Sequence, residues 1–208
     1  MPTLLHVAAS PRGGSSESLA IASTFLGALR EARPDITVET FDLWDGTLPQ
    51  FGAAAAGAKM ASFGGQEPAG EQAAAWAAVT RTFERFAAAD YYLFSVPMWN
   101  HGIPYVLKQL VDVISQPGMV FGFDPEHGYE GLLAGRKAVV VYTSAVYGEG
   151  LPPTFGTDFQ APYLNGWLRW AGIADITEIQ FRPNLVTASA DAGRQAAHAA
   201  AREAAKKV

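Results

Sequence analysis

The chain contains no cysteine, so disulfides, thiolate catalysis and cysteine metal sites are excluded at the outset. Charge is also scarce: Asp, Glu, Lys and Arg make up 17% of the 208 residues, with 15 Lys and Arg against 20 Asp and Glu. A formal net charge of −5 disfavours a nucleic-acid partner, and the nearest thing to a basic stripe is the terminal pair Lys206-Lys207. No run of 18 apolar residues is present to span a bilayer, so no membrane partner is expected. Met1-Pro2-Thr3 leads straight into an apolar segment without a basic n-region or cleavage signal, which makes the cytoplasm the expected compartment.

Apolar residues, by contrast, are plentiful at 49%. A chain of this length can build one substantial core, burying about 70% of its unfolded surface. Part of the apolar excess is available for an oligomer interface. Five segments read as strands: Thr3 to Ala9, Ile36 to Phe41, Tyr91 to Val96, Lys137 to Thr143 and Ile176 to Phe181. The third and fourth are continuously apolar, as strands covered on both faces are; the second alternates more, like an edge. Between them lie helical stretches at Glu17 to Glu31, Glu71 to Ala88, Tyr105 to Ile114, Phe159 to Trp170 and Asp191 to Lys206. That alternation predicts a mostly parallel three-layer α/β domain, with residues 1–208 forming one domain and no linker or repeat. Two segments fit less easily. Gly52 to Ala69 offers four alanines for a helical turn that Gly64-Gly65 should interrupt, and Gly118 to Gly135 suggests a small aromatic excursion at the sheet edge.

The segment Val96-Pro97-Met98-Trp99-Asn100-His101-Gly102-Ile103-Pro104 follows a buried strand and leads into a helix beginning near Pro104. It sets a proline, a large flat ring and an amide at a strand's carboxyl edge, where open α/β sheets bind ligands. A planar heterocycle needs an apolar face and hydrogen-bond partners around its rim, and this loop can provide both. The simpler reading is a Pro/Asn turn with Trp99 packed on the core.

Between the first strand and first helix runs Ser10-Pro11-Arg12-Gly13-Gly14-Ser15-Ser16-Glu17-Ser18. Its hydroxyls, its exposed amides and the helix N-terminus can surround a phosphate, with Arg12 as a charged donor. Ser16 is equally suited to be the helix N-cap. The Glu17 carboxylate must turn outward, or it would repel the phosphate. The loop lacks both the Walker Gly-Lys-Ser/Thr and the glycine-rich dinucleotide fingerprint. One terminal monophosphate plus one ring suggests a mononucleotide, and FMN meets that requirement.

With these motifs in place, the chain resembles the FMN-dependent NADH azoreductases, within the flavodoxin-like NAD(P)H quinone reductases. The resemblance spans nearly the whole length. It rests on Pro97-Met98-Trp99-Asn100 with Leu107-Lys108 and Asp112 after it, on the Ser10…Ser16-Glu17-Ser18 spacing and on Phe121-Gly122-Phe123. The stretch from Gly131 to Ala138, and Pro162-Tyr163-Leu164 leading to Gly172-Ile173, agree too. It implies a flavodoxin-like sandwich, a five-stranded parallel sheet in order 2-1-3-4-5 with helices on both faces. It also implies a homodimer with an FMN near each end of the interface. Ser10, Ser16, Glu17 (through its backbone) and Ser18 match phosphate-binding positions; Pro97, Met98, Trp99 and Asn100 match the loop against the flavin ring. Ser144 begins the segment covering the ring's pyrimidine side, which includes Val146. Phe123 and Trp167 match aromatic-wall positions of the substrate pocket, Trp167 as one contributed by the partner subunit. One departure follows the fourth strand: relatives commonly carry Arg-Gly-Gly after the serine, whereas this chain has Ala145-Val146 before Tyr147-Gly148. That change removes an arginine and the conformational freedom of glycine.

His101 can orient a quinone or donate to an azo nitrogen, or simply make a loop hydrogen bond; the flavin carries the chemistry, so no nucleophile is expected. Asp124, Glu126 and His127 read as an acidic loop rather than a metal site. His6 and His198 are most simply structural. Ser95 lacks the G-x-S-x-G elbow of a hydrolase. Phe159, Tyr163 and Trp167 share a broad helical face with Trp170 nearby, which points to a dimer interface rather than the alternative of monomer-core packing. Trp44 reads as packing. The expected activity is two-electron transfer from NADH to quinones, and to some aromatic azo compounds, through alternating reduction and reoxidation of FMN. The alternatives are a specialised flavin reductase with another acceptor, or a non-catalytic FMN electron carrier.

Overall fold

The computed structural model describes residues 1–185 and 187–208. Among the described residues, seven strands and six α-helices follow in chain order: β1 (Thr3–Ala8), α1 (Glu17–Ala32), β2 (Thr37–Asp42), α2 (Ala53–Phe63), α3 (Gly70–Ala87), β3 (Tyr91–Pro97), α4 (Tyr105–Ile114), β4 (Phe121–Asp124), β5 (Gly128–Gly131), β6 (Lys137–Thr143), α5 (Ala161–Trp170), β7 (Asp175–Phe181) and α6 (Ala190–Ala205). Five strands form one parallel sheet in the order β2-β1-β3-β6-β7. Counting only these five, the order is the expected 2-1-3-4-5. The numbering shifts because the Gly118 to Gly135 excursion forms a separate antiparallel hairpin, β4-β5.

The central strands β1, β3 and β6 are buried almost throughout, which is why their sequences run apolar without alternation. One sheet face carries α1 and α6 over Leu4, Leu93, Val139 and Val141. The other carries the larger core, in which Val7, Phe94 and Val140 meet α3, α4 and α5. Helix α4 is the clearest case of pattern dictating placement. Val106, Leu107, Leu110, Val111, Val113 and Ile114 are all buried, each worth roughly 1.5–3 kcal/mol, while Tyr105, Lys108 and Asp112 remain outside.

Helix boundaries agree with local signals. Ser16 caps α1 through its side chain, and Pro34 follows that helix's end. The alanine segment extends further than a single turn: α2 continues to Phe63 and stops at Gly64, with Gly65 at a φ of +70°. Ala55 and Ala58 bury one side of α2, which packs against α3, so tertiary contact lengthens a helix that intrinsic propensity only begins. The register aligns Ala8 with Asp42 and Pro97 with Thr143, and Thr143 in turn with Phe181. The loops leaving β1, β2, β3, β6 and β7 therefore emerge along one edge, and the strand order reverses between β1 and β3, where open α/β sheets place their ligands. No described helix is long and apolar enough to cross a membrane.

Candidate active site

The loop after β1 wraps a concave, hydroxyl-lined turn. Ser10, Ser16 and Ser18 are all buried, and the Ser16 and Ser18 hydroxyls lie 3.1 Å apart. Ser16 Oγ accepts from the Leu19 amide at 3.4 Å, long for a hydrogen bond, so this cap is weak and its oxygen has spare capacity. The first amides of α1 have no intrahelical acceptor and give the helix terminus its positive end. Gly13, at a φ of +50°, has open space where a Cβ would stand, which leaves the turn accessible. The Glu17 carboxylate points away from the cradle. Arg194 of α6 holds it with Nη2 2.9 Å from Oε1 and Nε at 3.1 and 3.2 Å. A glutamate at a phosphate-suited helix terminus is thereby neutralised by a residue 177 positions away. Arg12 is exposed at the rim, its amide 3.4 Å from Ser10 Oγ.

The loop after β3 is tightly built. Met98 N donates to Thr143 O at 2.7 Å, and Trp99 and Gly102 exchange two backbone hydrogen bonds of 2.9 Å. The two residues between them, Asn100 and His101, sit at φ of +47° and +71°. Both central residues at positive φ is the type I′ pattern, whose second position is ordinarily glycine. A non-glycine residue held there costs on the order of 1 kcal/mol, so the surroundings must hold His101 in place. They do so through the 153–159 segment: Thr157 N donates to His101 Nδ1 at 2.8 Å, and Phe159 N donates to His101 O at 2.9 Å.

Trp99 belongs to an aromatic group that sequence reasoning missed. Trp44, after β2, lies with its ring centroid 5.7 Å from Trp99 and 5.3 Å from Tyr105. Its Nε1 donates to Ala9 O at 3.1 Å, tying the start of the loop after β1 to the loop after β3. The available signal was its position immediately beyond a strand's carboxyl end. Beside Trp99 opens a cavity of about 1070 Å³ between α4, the start of α5 and α2. Tyr105, Ile103, Phe159 and Tyr163 give it apolar walls; Lys108, Asp112 and Gln116 give it polar ones. Lys108 Nζ lies 2.6 and 2.7 Å from the Asp112 oxygens. Burial opposes the Lys108 charge, but Asp112 and neighbouring Tyr163 overcome it and hold the ammonium above its ordinary pKa.

Ser144 is buried and its hydroxyl accepts from Tyr147 N at 3.0 Å. Among the described residues only Asn100 and His101 are non-glycines at positive φ, so Ala145-Val146 turns without the unusual backbone that glycine would allow. Ala145 O instead accepts from Leu185 N at 2.9 Å, and Val146 is exposed.

Of the two expected wall residues, Trp167 needs correction and Phe123 is placed on a separate hairpin. Trp167 does not face outward: it is 7% exposed, its ring lies 6.0 Å from Phe86, and its Nε1 donates to Ser115 Oγ at 2.9 Å. Phe159 lies just before α5, and on the helix a four-residue step turns about 40° beyond a full circle, so the line from Phe159 through Tyr163 to Trp167 winds inward. Exposure along it falls from 62% at Phe159 to 37% at Tyr163 and 7% at Trp167. Phe123 is exposed, but on the β4-β5 hairpin beside Tyr129, which packs on Trp170 at the far end of α5. The hairpin thus meets the end of α5 opposite to the one that follows the His101-bound segment. Asp124 Oδ1 serves as a turn acceptor for the amides of Glu126 and His127 and for His127 Nδ1.

A five-stranded parallel sheet in this order, with a hydroxyl-lined cradle after β1 and an aromatic loop after β3, defines a flavodoxin-type nucleotide site. The family profile described as flavodoxin-like fold matches residues 2–207. An FMN-dependent NADH:quinone oxidoreductase of Ruegeria pomeroyi is 50% identical over 202 residues, 96% of this chain and 98% of that protein. One from Nitratidesulfovibrio vulgaris is 42% identical over 186 residues, covering 89% and 88%. Among solved structures, an azoreductase from Bacillus anthracis superposes with a TM-score of 0.91 over 100% of both chains at 24% identity. The chain belongs to the flavodoxin-like family and, within it, to the FMN-dependent NADH azoreductases and quinone reductases.

Proposed function

We propose that this protein is an FMN-dependent oxidoreductase passing two reducing equivalents from NADH to quinones, with aromatic azo compounds as further acceptors. The observation that carries the reading is the pairing of the serine cradle after β1 with the Trp99 loop after β3, beside a cavity of about 1070 Å³. The cradle fits a terminal phosphate on structural grounds: three buried serines, a free helix end and a carboxylate drawn aside by Arg194. Ser10, Ser16 and Ser18, with the Glu17 amide and Arg12, hold the phosphate. Pro97, Met98, Trp99 and Asn100 hold the ring, and Ser144 and Val146 line its other side. FMN when bound supplies the hydride chemistry; the chain's own groups bind, orient and exclude water.

The cavity is large enough for a flat partner beside the ring loop, which favours an enzyme over an electron carrier with only an exposed cofactor edge. We assign the active form as a homodimer. Tyr105, Phe159 and Tyr163 expose aromatic surface around the cavity, and Phe123 and Tyr129 expose more at the other end of α5. We assign Phe123 to the wall of the partner's site, because it does not line the cavity beside Trp99 and sits on the hairpin at the other end of α5. The cytoplasm, where NADH is regenerated, is the compartment this reading requires. Anaerobic stopped-flow spectroscopy tests the cycle. NADH should bleach the flavin absorbance and a quinone should restore it; failure of both NADH and NADPH to reduce the bound flavin refutes it.

A further inference from the structure

We propose that His101 is the specificity-determining hydrogen-bond donor for the electron acceptor, locked by Thr157 as the Nε2–H tautomer. This rests on the oxidoreductase reading and deepens it. A backbone amide can only donate, and Thr157 N lies 2.8 Å from His101 Nδ1, so Nδ1 is the unprotonated nitrogen. In the neutral imidazole the proton then resides on Nε2. Nε2 has no partner among the described residues, and the side chain is exposed. The flanking Asn100 and Gly102 both line the cavity, as does Phe159, whose ring centroid is 6.4 Å from that of His101. The donor is thus carried between two cavity-lining residues, although His101 itself is not one of them.

The lock is supported from behind. Gly156 lies close enough that a Cβ there would stand 3.5 Å from the imidazole Cε1, in ordinary contact. Asp158 anchors the same segment: its Oδ1 accepts from Gln160 N and Ala161 N at 2.8 and 3.0 Å, and its Oδ2 meets Arg182 Nη1 at 2.7 Å. Arg182 is 4% exposed and stacks near Tyr142 and Tyr147 at 5.4 and 5.2 Å. Arg182 and Asp158 are thus positioning residues that fix the segment reading Nδ1. Together they hold His101 at a φ of +71°, which an unsupported histidine would leave.

The chemical consequence concerns the acceptor. A quinone taking a hydride from the bound, NADH-reduced flavin gains negative charge on one oxygen, and a proton from water completes the hydroquinone. His101 keeps its own proton and donates a hydrogen bond to that oxygen as the charge develops. Acceptors with a basic oxygen or nitrogen benefit. Ferricyanide, which takes single electrons and no proton, does not.

Two variants separate donor from lock. H101F removes both nitrogens; H101N retains an acceptor for Thr157 N–H and tolerates the left-handed backbone, but its amide N–H2 stands where the imidazole Cδ2 was, leaving no donor at the Nε2 position. H101N should lower kcat/KM for quinone about 10–100-fold while reduction by NADH and reoxidation by ferricyanide stay near wild type, whereas H101F, which also releases the turn, should slow all three. Independently of activity, long-range ¹H–¹⁵N correlation spectra of the cofactor-free protein should report the Nε2–H tautomer for His101. An Nδ1–H tautomer overturns the proposal, as does wild-type quinone turnover in H101N. Equal slowing of ferricyanide and quinone in H101N also overturns it, because the effect is then structural. If wild-type protein is not reduced by NADH at all, the underlying reading fails and the tautomer measurement still stands.

Discussion

Replacing Asp158 by alanine should be among the most damaging single changes outside the central sheet. Its carboxylate serves three donors: the Gln160 and Ala161 amides that open α5, and the Arg182 guanidinium at 2.7 Å. Arg182 is 4% exposed and already has its Nε without a partner. Removing Asp158 leaves that cation buried with only Gln160, Gln180 and two aromatic faces for company. Breaking one half of a buried pair costs about 3–5 kcal/mol, and losing the helix cap adds about 1 kcal/mol. Together they amount to about 4–6 kcal/mol, or a fall in Tm on the order of 8–24 °C for a chain of this size. Urea unfolding followed by tryptophan fluorescence measures it. D158S keeps a hydroxyl to cap α5 and should recover about 1 kcal/mol. The double variant D158A/R182M removes the stranded charge and should be more stable than D158A alone. A D158A loss below about 1 kcal/mol, or a double variant as unstable as the two single losses combined, would refute the claim that burial makes this pair costly to break.

His6 supplies a pH signature. Burial pushes its imidazole down to about 4 from 6.5, with Asp42 pulling partly back, and its Nε2 lies 2.7 Å from Ser95 Oγ. The unfolded chain takes up the proton first as pH falls. Stability is therefore full above about 6.5 and declines toward 4, by about 3 kcal/mol in all, and H6Q should flatten that slope in urea titrations across the window. R194Q frees the Glu17 carboxylate and should weaken FMN binding several-fold, more at low ionic strength than at high; a salt-independent effect in fluorescence titration would contradict the electrostatic account. W44F loses the bond to Ala9 O and should cost about 1 kcal/mol of stability while lowering FMN affinity. W167F keeps the apolar core but loses the bond to Ser115, so about 1 kcal/mol of stability should go with acceptor preference unchanged; altered preference in steady-state assays would restore a pocket role for Trp167.

Much of this molecule was legible in one dimension because its signals are local. A buried strand reads as an apolar run, an amphipathic helix as a stripe, and a ligand loop as a break between them; β6 and α4 match the ranges read from sequence residue for residue. The loops after β1 and β3 stood out as candidates because each lies within a dozen residues of chain. What lay beyond reach depended on partners distant in sequence. Nothing near Glu17 announces Arg194, and nothing near His101 announces Thr157, 56 positions on. Periodicity placed Phe159, Tyr163 and Trp167 on one face, yet whether that face meets solvent or core depends on how α5 lies against β6 and the loop after β3. Pattern identifies which residues share a side of an element; only packing decides what that side touches, and through it the orientation of Glu17, the tautomer of His101 and the burial of Trp167.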